Sequence, residues 1–284
     1  KIDFRVETSN QGKVLQPLVS EDTKLSIQSA LLGTANALES PRLMSLLYRP
    51  EQPSVLSQLF KPASLDALFS QALADATGLK IQQLFFSISS ISPQMIRSAL
   101  INSGLFSEYF ISNQLPPKLD LKQLLRSLMR TGILQNTESI LIEKAIDEIE
   151  SRQLEGVQAQ QNREISYQFV IPFYDSEPVE VHFERGAGNF EKGETDWVIN
   201  LHTESVGLGE IWAKTTIKAT SDIEMIIWTR EENAAVAVNQ GRVELEKSFD
   251  RFQLNLTKFS VLHAERPAID PSLTGPGQVL DVST

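Results

Sequence analysis

The residues able to do chemistry in this chain are few. Among 284 residues there are three histidines, His182, His202 and His263, and no cysteine. A zinc site needs three or four converging ligands, and no H-E-x-x-H or comparable spacing is present. His182 and His202 fall on the solvent-facing parity of alternating segments, which predicts ordinary surface or edge histidines. The lack of cysteine removes disulfides, thiolate nucleophiles and cysteine-ligated metals. Gly207-Leu208-Gly209 and Gly186-Ala187-Gly188 are bare G-x-G sequences with neither a third glycine nor a helix placed to follow. Phosphate loops need both, so these read as turn glycines. No G-x-S-x-G supports a hydrolase elbow. Glu231 and Glu232 sit at a predicted helix start, where carboxylates favour the macrodipole; nothing makes them an acid–base pair. No catalytic set, no metal site and no cofactor loop is therefore predicted, and the chain reads as a binding and signalling protein rather than an enzyme.

The aromatic residues carry more. Trp212 and Trp228 lie on the parity opposite the apolar faces of their segments. A three-residue turn over 219–221 places Ile217 against Ile223 and Trp212 against Trp228. That makes a cross-strand aromatic pair with Ile226 nearby, on the face away from the helix that follows. Two readings stay open: a second core layer, because large aromatics mark burial, or an exposed docking patch.

The elements that position these residues follow from hydrophobic period. Residues 1–20 have no sustained period and read as an extended lead-in. From 21 to 160 the period is helical. Ser40-Pro41 opens a short helix over 42–48. Leu65, Leu68, Phe69, Ala72, Leu73 and Ala76 form a helical stripe closed by Gly78. Ser92-Pro93 starts a helix with Met95, Ile96, Ala99 and Leu100 facing in, which stops near Gly104. Pro116-Pro117 breaks the chain. Asp120 opens a helix bearing Leu121, Leu124, Leu125 and Leu128 and closed by Gly132. Thr137 opens the longest helix, with Leu141, Ala145, Ile149 and Leu154 on one stripe and a polar, Gln-rich tail over 153–161. At Glu164 the period changes from 3.6 to 2. Strands are predicted near 166–171, 179–184, 197–202, 210–218, 223–229 and 254–263. One amphipathic helix over 231–252 carries Ala234, Val238, Leu245, Phe249 and Phe252 toward the sheet. The fold class expected is α+β. The expected units are an extended lead-in (1–20), an all-helical domain (21–160), a mixed-sheet domain covered by one long helix (161–265) and a flexible tail (266–284).

Composition and charge bound the partners. An apolar share of 41% supports real cores, and 22% charged residues is ordinary. No apolar run reaches the roughly 18–20 residues of a membrane helix, so no membrane insertion is predicted. Residues 1–160 carry 15 basic and 16 acidic side chains; residues 161–284 carry 11 and 20. The acidic second half does not suit nucleic-acid phosphate, which needs basic neutralisation. It suits solubility or a basic protein surface. The chain begins at Lys1 rather than Met, as a fragment of a longer protein would.

The turn Val206-Gly207-Leu208-Gly209-Glu210-Ile211, a hairpin, a long amphipathic helix and a strand entered through Phe252-Gln253-Leu254 occur in that order. This span, 197–261, resembles the C-terminal domain of flagellar hook-length control proteins. In that family a Leu-Pro-x-Leu-Gly-x-Val-type turn leads into the hairpin, and the last strand begins Gly-Leu. Here Leu208, Gly209 and Ile211 keep the core of the turn motif, the proline is missing, and Gln253 replaces the glycine. Residues 96–108, and 149–160 leading into Ile171-Pro172-Phe173, are similar to segments of longer members, so the resemblance covers about 95–265. It implies a mechanism without catalysis. Such proteins reside in the bacterial cytoplasm and are exported through the flagellar type III apparatus while the hook grows. Their C-terminal domain contacts the cytoplasmic domain of the export-gate switch protein and changes export from hook-type to filament-type substrates. Contacts with hook or hook-cap subunits also belong to this reading. The ruler and export signal would precede residue 1. Trp212, Ile226 and Trp228 are then the candidate partner-binding residues. A needle-length regulator of an injectisome and a diverged protein-binding adaptor are the alternatives.

Overall fold

A computed structural model describes residues 40–47, 53–62, 64, 83–114, 120–132, 134, 136–186, 196–218 and 221–267. The expected lead-in, the stripe from Leu65 to Gly78, the break at Pro116-Pro117 and the tail beyond residue 267 lie outside these residues. The chain divides into two compact units after Ser45. Of the first unit only Ser40–Ser45 is described, as part of helix α1 (Ser40–Leu47).

Six strands form one sheet in the order β1-β2-β3-β4-β5-β6. They are β1 (Ile165–Ile171), β2 (Val179–Arg185), β3 (Trp197–Ser205), β4 (Gly209–Lys218), β5 (Asp222–Thr229) and β6 (Asn255–His263). Neighbours are antiparallel except β5 and β6, which run parallel. A parallel pair needs a crossover, and two helices, α7 (Glu232–Gln240) and α8 (Arg242–Asp250), supply it. A single helix over 231–252 is predicted from the sequence; the structure corrects this. Gly241 separates the two, and its φ of −74° and ψ of −8° keep a helical sense, so the chain bends rather than reverses. Ala234 is fully buried in the cover, but Phe252, assigned to the buried stripe, lies past α8 and is 66% exposed.

The helical segment comprises α2 (Val55–Leu59), α3 (Pro93–Asn102), α4 (Ser107–Ser112), α5 (Leu121–Thr131) and α6 (Asn136–Gln161). Its punctuation follows local chemistry. Ser92 and Asp120 accept hydrogen bonds from the backbone N–H of Met95 and Gln123, capping α3 and α5. Gly132 closes α5 in the left-handed conformation that glycine adopts without penalty. The polar tail of the longest helix remains helical through Gln161, and at Gly156 it passes close to the Ser166 carbonyl of β1, which a Cβ there would meet at 3.2 Å.

An all-helical unit independent of the sheet is not what the structure shows. Val170 of β1 belongs to the core built by α2, α5 and α6, with Leu56, Leu59, Leu125, Ile142 and Ile149. Met95 and Ala99 of α3 pack with Phe169, Ile171, Phe173 and Val181. Successive β1 residues thus bury into helices on opposite faces, and the boundary expected near 161 falls inside one compact unit that starts at Leu46. Phe86, in the stretch read as helical, makes a parallel bridge to Phe173, with Phe86 N–H donating to the Pro172 carbonyl at 3.1 Å.

A buried polar cluster fastens this helical layer to the sheet. Glu148 of α6 accepts hydrogen bonds from the Val55 and Leu56 N–H groups at 2.7 and 3.0 Å and from the Ser54 hydroxyl at 2.7 Å. It caps the start of α2 and pairs with Arg152 one turn along its own helix. Both side chains are 6% exposed. Ser57 donates to Glu180 of β2 at 2.7 Å, and Lys61 pairs with Glu204 of β3.

Candidate functional site

Alternation gives the sheet two faces. One bears Phe169, Val181, Ile199, Leu201, Ile223, Met225 and Ile227 and is covered by α3 at one end and by α7 and α8 at the other. The second bears both tryptophans. Its register sets six residues in one row across the sheet: Val170, Glu180, His202, Trp212, Trp228 and Leu262. The sequence prediction that Trp212 opposes Trp228 and Ile217 opposes Ile223 matches the observed register. Ile226 lies in the next row, between Lys214 and Ser260.

Burial falls along the row. Val170 is in the core, Trp212 and Trp228 are partly buried, and Leu262 is 43% exposed. The gradient follows from the cover: α2 and α6 pack over the β1 end of this face, while α7 and α8 occupy the opposite face at the β6 end. The tryptophans sit where the helical cover stops. They are neither a closed second core layer nor isolated surface rings.

Polar residues frame the pair. The His202 ring stacks on the Trp212 indole at 3.7 Å between centroids and 13° between planes. Its Nδ1 lies 3.4 Å from Glu180 and its Nε2 3.2 Å from Glu210. Burial pushes the Glu180 carboxyl up, but His202, Ser57 and Arg152 together outweigh it and hold it below its ordinary value. Arg230 reaches Glu210 at 3.6 Å and pairs with Glu265. Arg266 places its guanidinium 4.5 Å from the Trp212 ring centre and donates to the Asn200 side-chain carbonyl at 3.4 Å. His182, one row over, is held by the Ser166 hydroxyl at 2.9 Å and Glu184 at 3.2 Å. Burial, aided by Arg152 and Arg266 against Glu184, lowers its pKa and favours the neutral ring.

The parity of His182 and His202 is as the sequence predicts, but their face is not open water. Both are partly buried, His182 beneath the helical layer's charges and His202 against an indole, whereas His263 is exposed. Among the described residues, no three His, Asp or Glu side chains are grouped so as to hold a metal. No described helix is long and apolar enough to cross a membrane.

Leu208, Gly209 and Ile211 stand at the β3–β4 turn. Gly209 has φ of +68°, and a Cβ there would meet Glu231 Cγ at 2.8 Å. Asn233 donates to the Gly207 carbonyl at 3.2 Å. The turn motif therefore seats the hairpin on the start of α7. Arg266 and Leu262 were not among the predicted site residues. Arg266 marks the start of the stretch predicted to be a flexible tail, yet it packs on Trp212; Leu262 joins the Trp212–Trp228 row through the β5–β6 register, which shifts at an irregularity between Ile223 and Glu224 and is not legible from strand parity.

No protein-family model, curated protein or solved structure matches the chain.

Proposed function

We propose that this chain is a non-enzymatic regulator of flagellar hook length, which docks on the cytoplasmic domain of the export-gate switch protein and changes the substrate class passed by the type III apparatus. The reading rests on the resemblance of 197–261. The observation that carries its docking part is the row Trp212–Trp228–Leu262, rigidly set in a sheet and left by the helical cover with one end open. Half-open aromatics on a rigid frame are what a binding hot spot requires: large apolar area at little entropic cost. Ile226 adds to the same face. The acidic charge of 161–284 would speed encounter with a basic partner. In this role the protein works in the bacterial cytoplasm and leaves through the export apparatus.

The fused helical layer favours a second reading, a diverged protein-binding adaptor or injectisome needle-length regulator, because α2, α3, α5 and α6 share their cores with β1. Deleting the gene and measuring hook length separates the two. Abnormally long hooks with few filaments support the proposal. Hooks of normal length refute it.

A further inference from the structure

The segment after β6 does something its sequence does not announce. β6 is the sheet's edge, yet Arg266 touches Trp212 on β4 and Asn200 on β3. Strands lie about 4.8 Å apart, so these contacts are roughly 10–14 Å from the β6 axis. Residues 264–267 must therefore turn back over β5, the strand of Trp228. Two side chains fasten them there. Glu265 pairs with Arg230, which also faces Glu210. Arg266 lays its guanidinium on the indole and donates to Asn200, which is itself 7% exposed.

The Trp212 face already holds one guanidinium, that of Arg266. The indole face supplies a cation–π surface, Asn200 supplies a buried acceptor, and Glu180 and Glu210 supply negative charge beside His202. A planar guanidinium satisfies stacking and hydrogen bonding at once; an ammonium does not. We propose that the Trp212 face binds an extended, arginine-bearing segment of a partner protein, and that residues 264–267 are an internal mimic occupying the site in the free chain. The partner displaces the strap, trading one arginine for another and uncovering Trp228 for further contact. The acidic surroundings fit such a segment and disfavour an acidic one. The inference rests on the docking reading above and adds the chemistry of the ligand and the means of closure.

The test uses the full chain, as wild type and as Arg266→Ala. The probe is the peptide acetyl-Ala-Glu-Arg-Pro-amide, with a counterpart carrying alanine for arginine, read by the indole N–H resonances of labelled protein. In the wild type the strap competes at the high effective concentration of a tethered ligand. Arg266→Ala should therefore bind the arginine peptide about tenfold or more tightly than the wild type does, and the alanine peptide should bind neither. Arg266→Lys should fall between them. Trp212→Ala in the Arg266→Ala background should abolish binding while the amide spectrum stays dispersed. Equal binding of the arginine peptide to wild type and Arg266→Ala, or its failure to bind Arg266→Ala, overturns the proposal. If that failure comes while Leu262→Glu still weakens binding to the export-gate domain, the docking face stands and only the ligand chemistry is wrong.

Discussion

Glu148 ties the start of α2 to α6 within the helical layer, and the effect of its removal can be followed quantitatively. The carboxylate is 6% exposed and takes four donors: two α2 backbone N–H groups, the Ser54 hydroxyl and Arg152. Glu148→Ala leaves Arg152, also 6% exposed, without its charge partner, and Arg152 Nη1 already lacks a hydrogen-bond partner. Removing one member of a buried pair costs about 3–5 kcal/mol, far more than an exposed pair is worth. At about 2–4 °C per kcal/mol for a unit of this size, the melting temperature should fall by roughly 6–20 °C. The loss should appear in calorimetry and in faster amide exchange of Val55 and Leu56. Replacing both partners, as Glu148→Leu with Arg152→Met, should recover part of the loss, because no charge is then stranded. A Glu148→Ala protein within about 1 kcal/mol of wild type would instead place the pair in the range of solvent-screened surface bridges and show that burial gives it no added weight.

Three other outcomes follow from single positions. Gly104 has φ of +94°, and a Cβ there would lie 2.8 Å from Lys122 Cβ and 3.0 Å from Lys122 N, so Gly104→Ala should destabilise by about 1–3 kcal/mol in urea titration. His182 has its pKa lowered by burial from 6.5, so the unfolded chain binds its proton first. Stability from this group is present above pH 6.5 and is lost as pH falls below that value through the folded pKa; His182→Gln should flatten that limb of the stability–pH curve. Gly209→Ala should loosen the hairpin's seat on α7, since the new Cβ meets Glu231 Cγ in a left-handed backbone, and should lower the melting temperature without changing the strand content seen by circular dichroism.

The strands were legible because sheet period is local. The change at Glu164 and the in-register Trp212–Trp228 pair both came from alternation within short segments. Caps were legible for the same reason, as at Ser92, Asp120 and Gly132. The fusion of helices to sheet was not. Val170 occupies the polar parity of β1 by alternation, and only the presence of α2 and α6 over it makes that face a core. Glu148 and Arg152 stand four residues apart on one helix, as many surface charge pairs do, and nothing local reveals that Ser54 and α2 close over them. The helix after β5 read as continuous because a glycine in helical conformation leaves the period of 3.6 nearly intact across the bend. The Arg266 strap was hidden by composition, since Pro- and Gly-containing tails look flexible whether or not one side chain is anchored.

The proposed docking face for the export gate is the open end of the aromatic row. The direct measurement is affinity of the purified export-gate cytoplasmic domain for wild type, Leu262→Glu and Trp228→Ala, with the melting temperature of each measured alongside. Leu262 is 43% exposed, so its substitution should leave stability nearly unchanged while adding an uncompensated charge to the interface. Leu262→Glu should then bind at least about tenfold more weakly, and Trp228→Ala should lose about 2 kcal/mol or more of binding. Wild-type affinity in both variants, each stably folded, would contradict it.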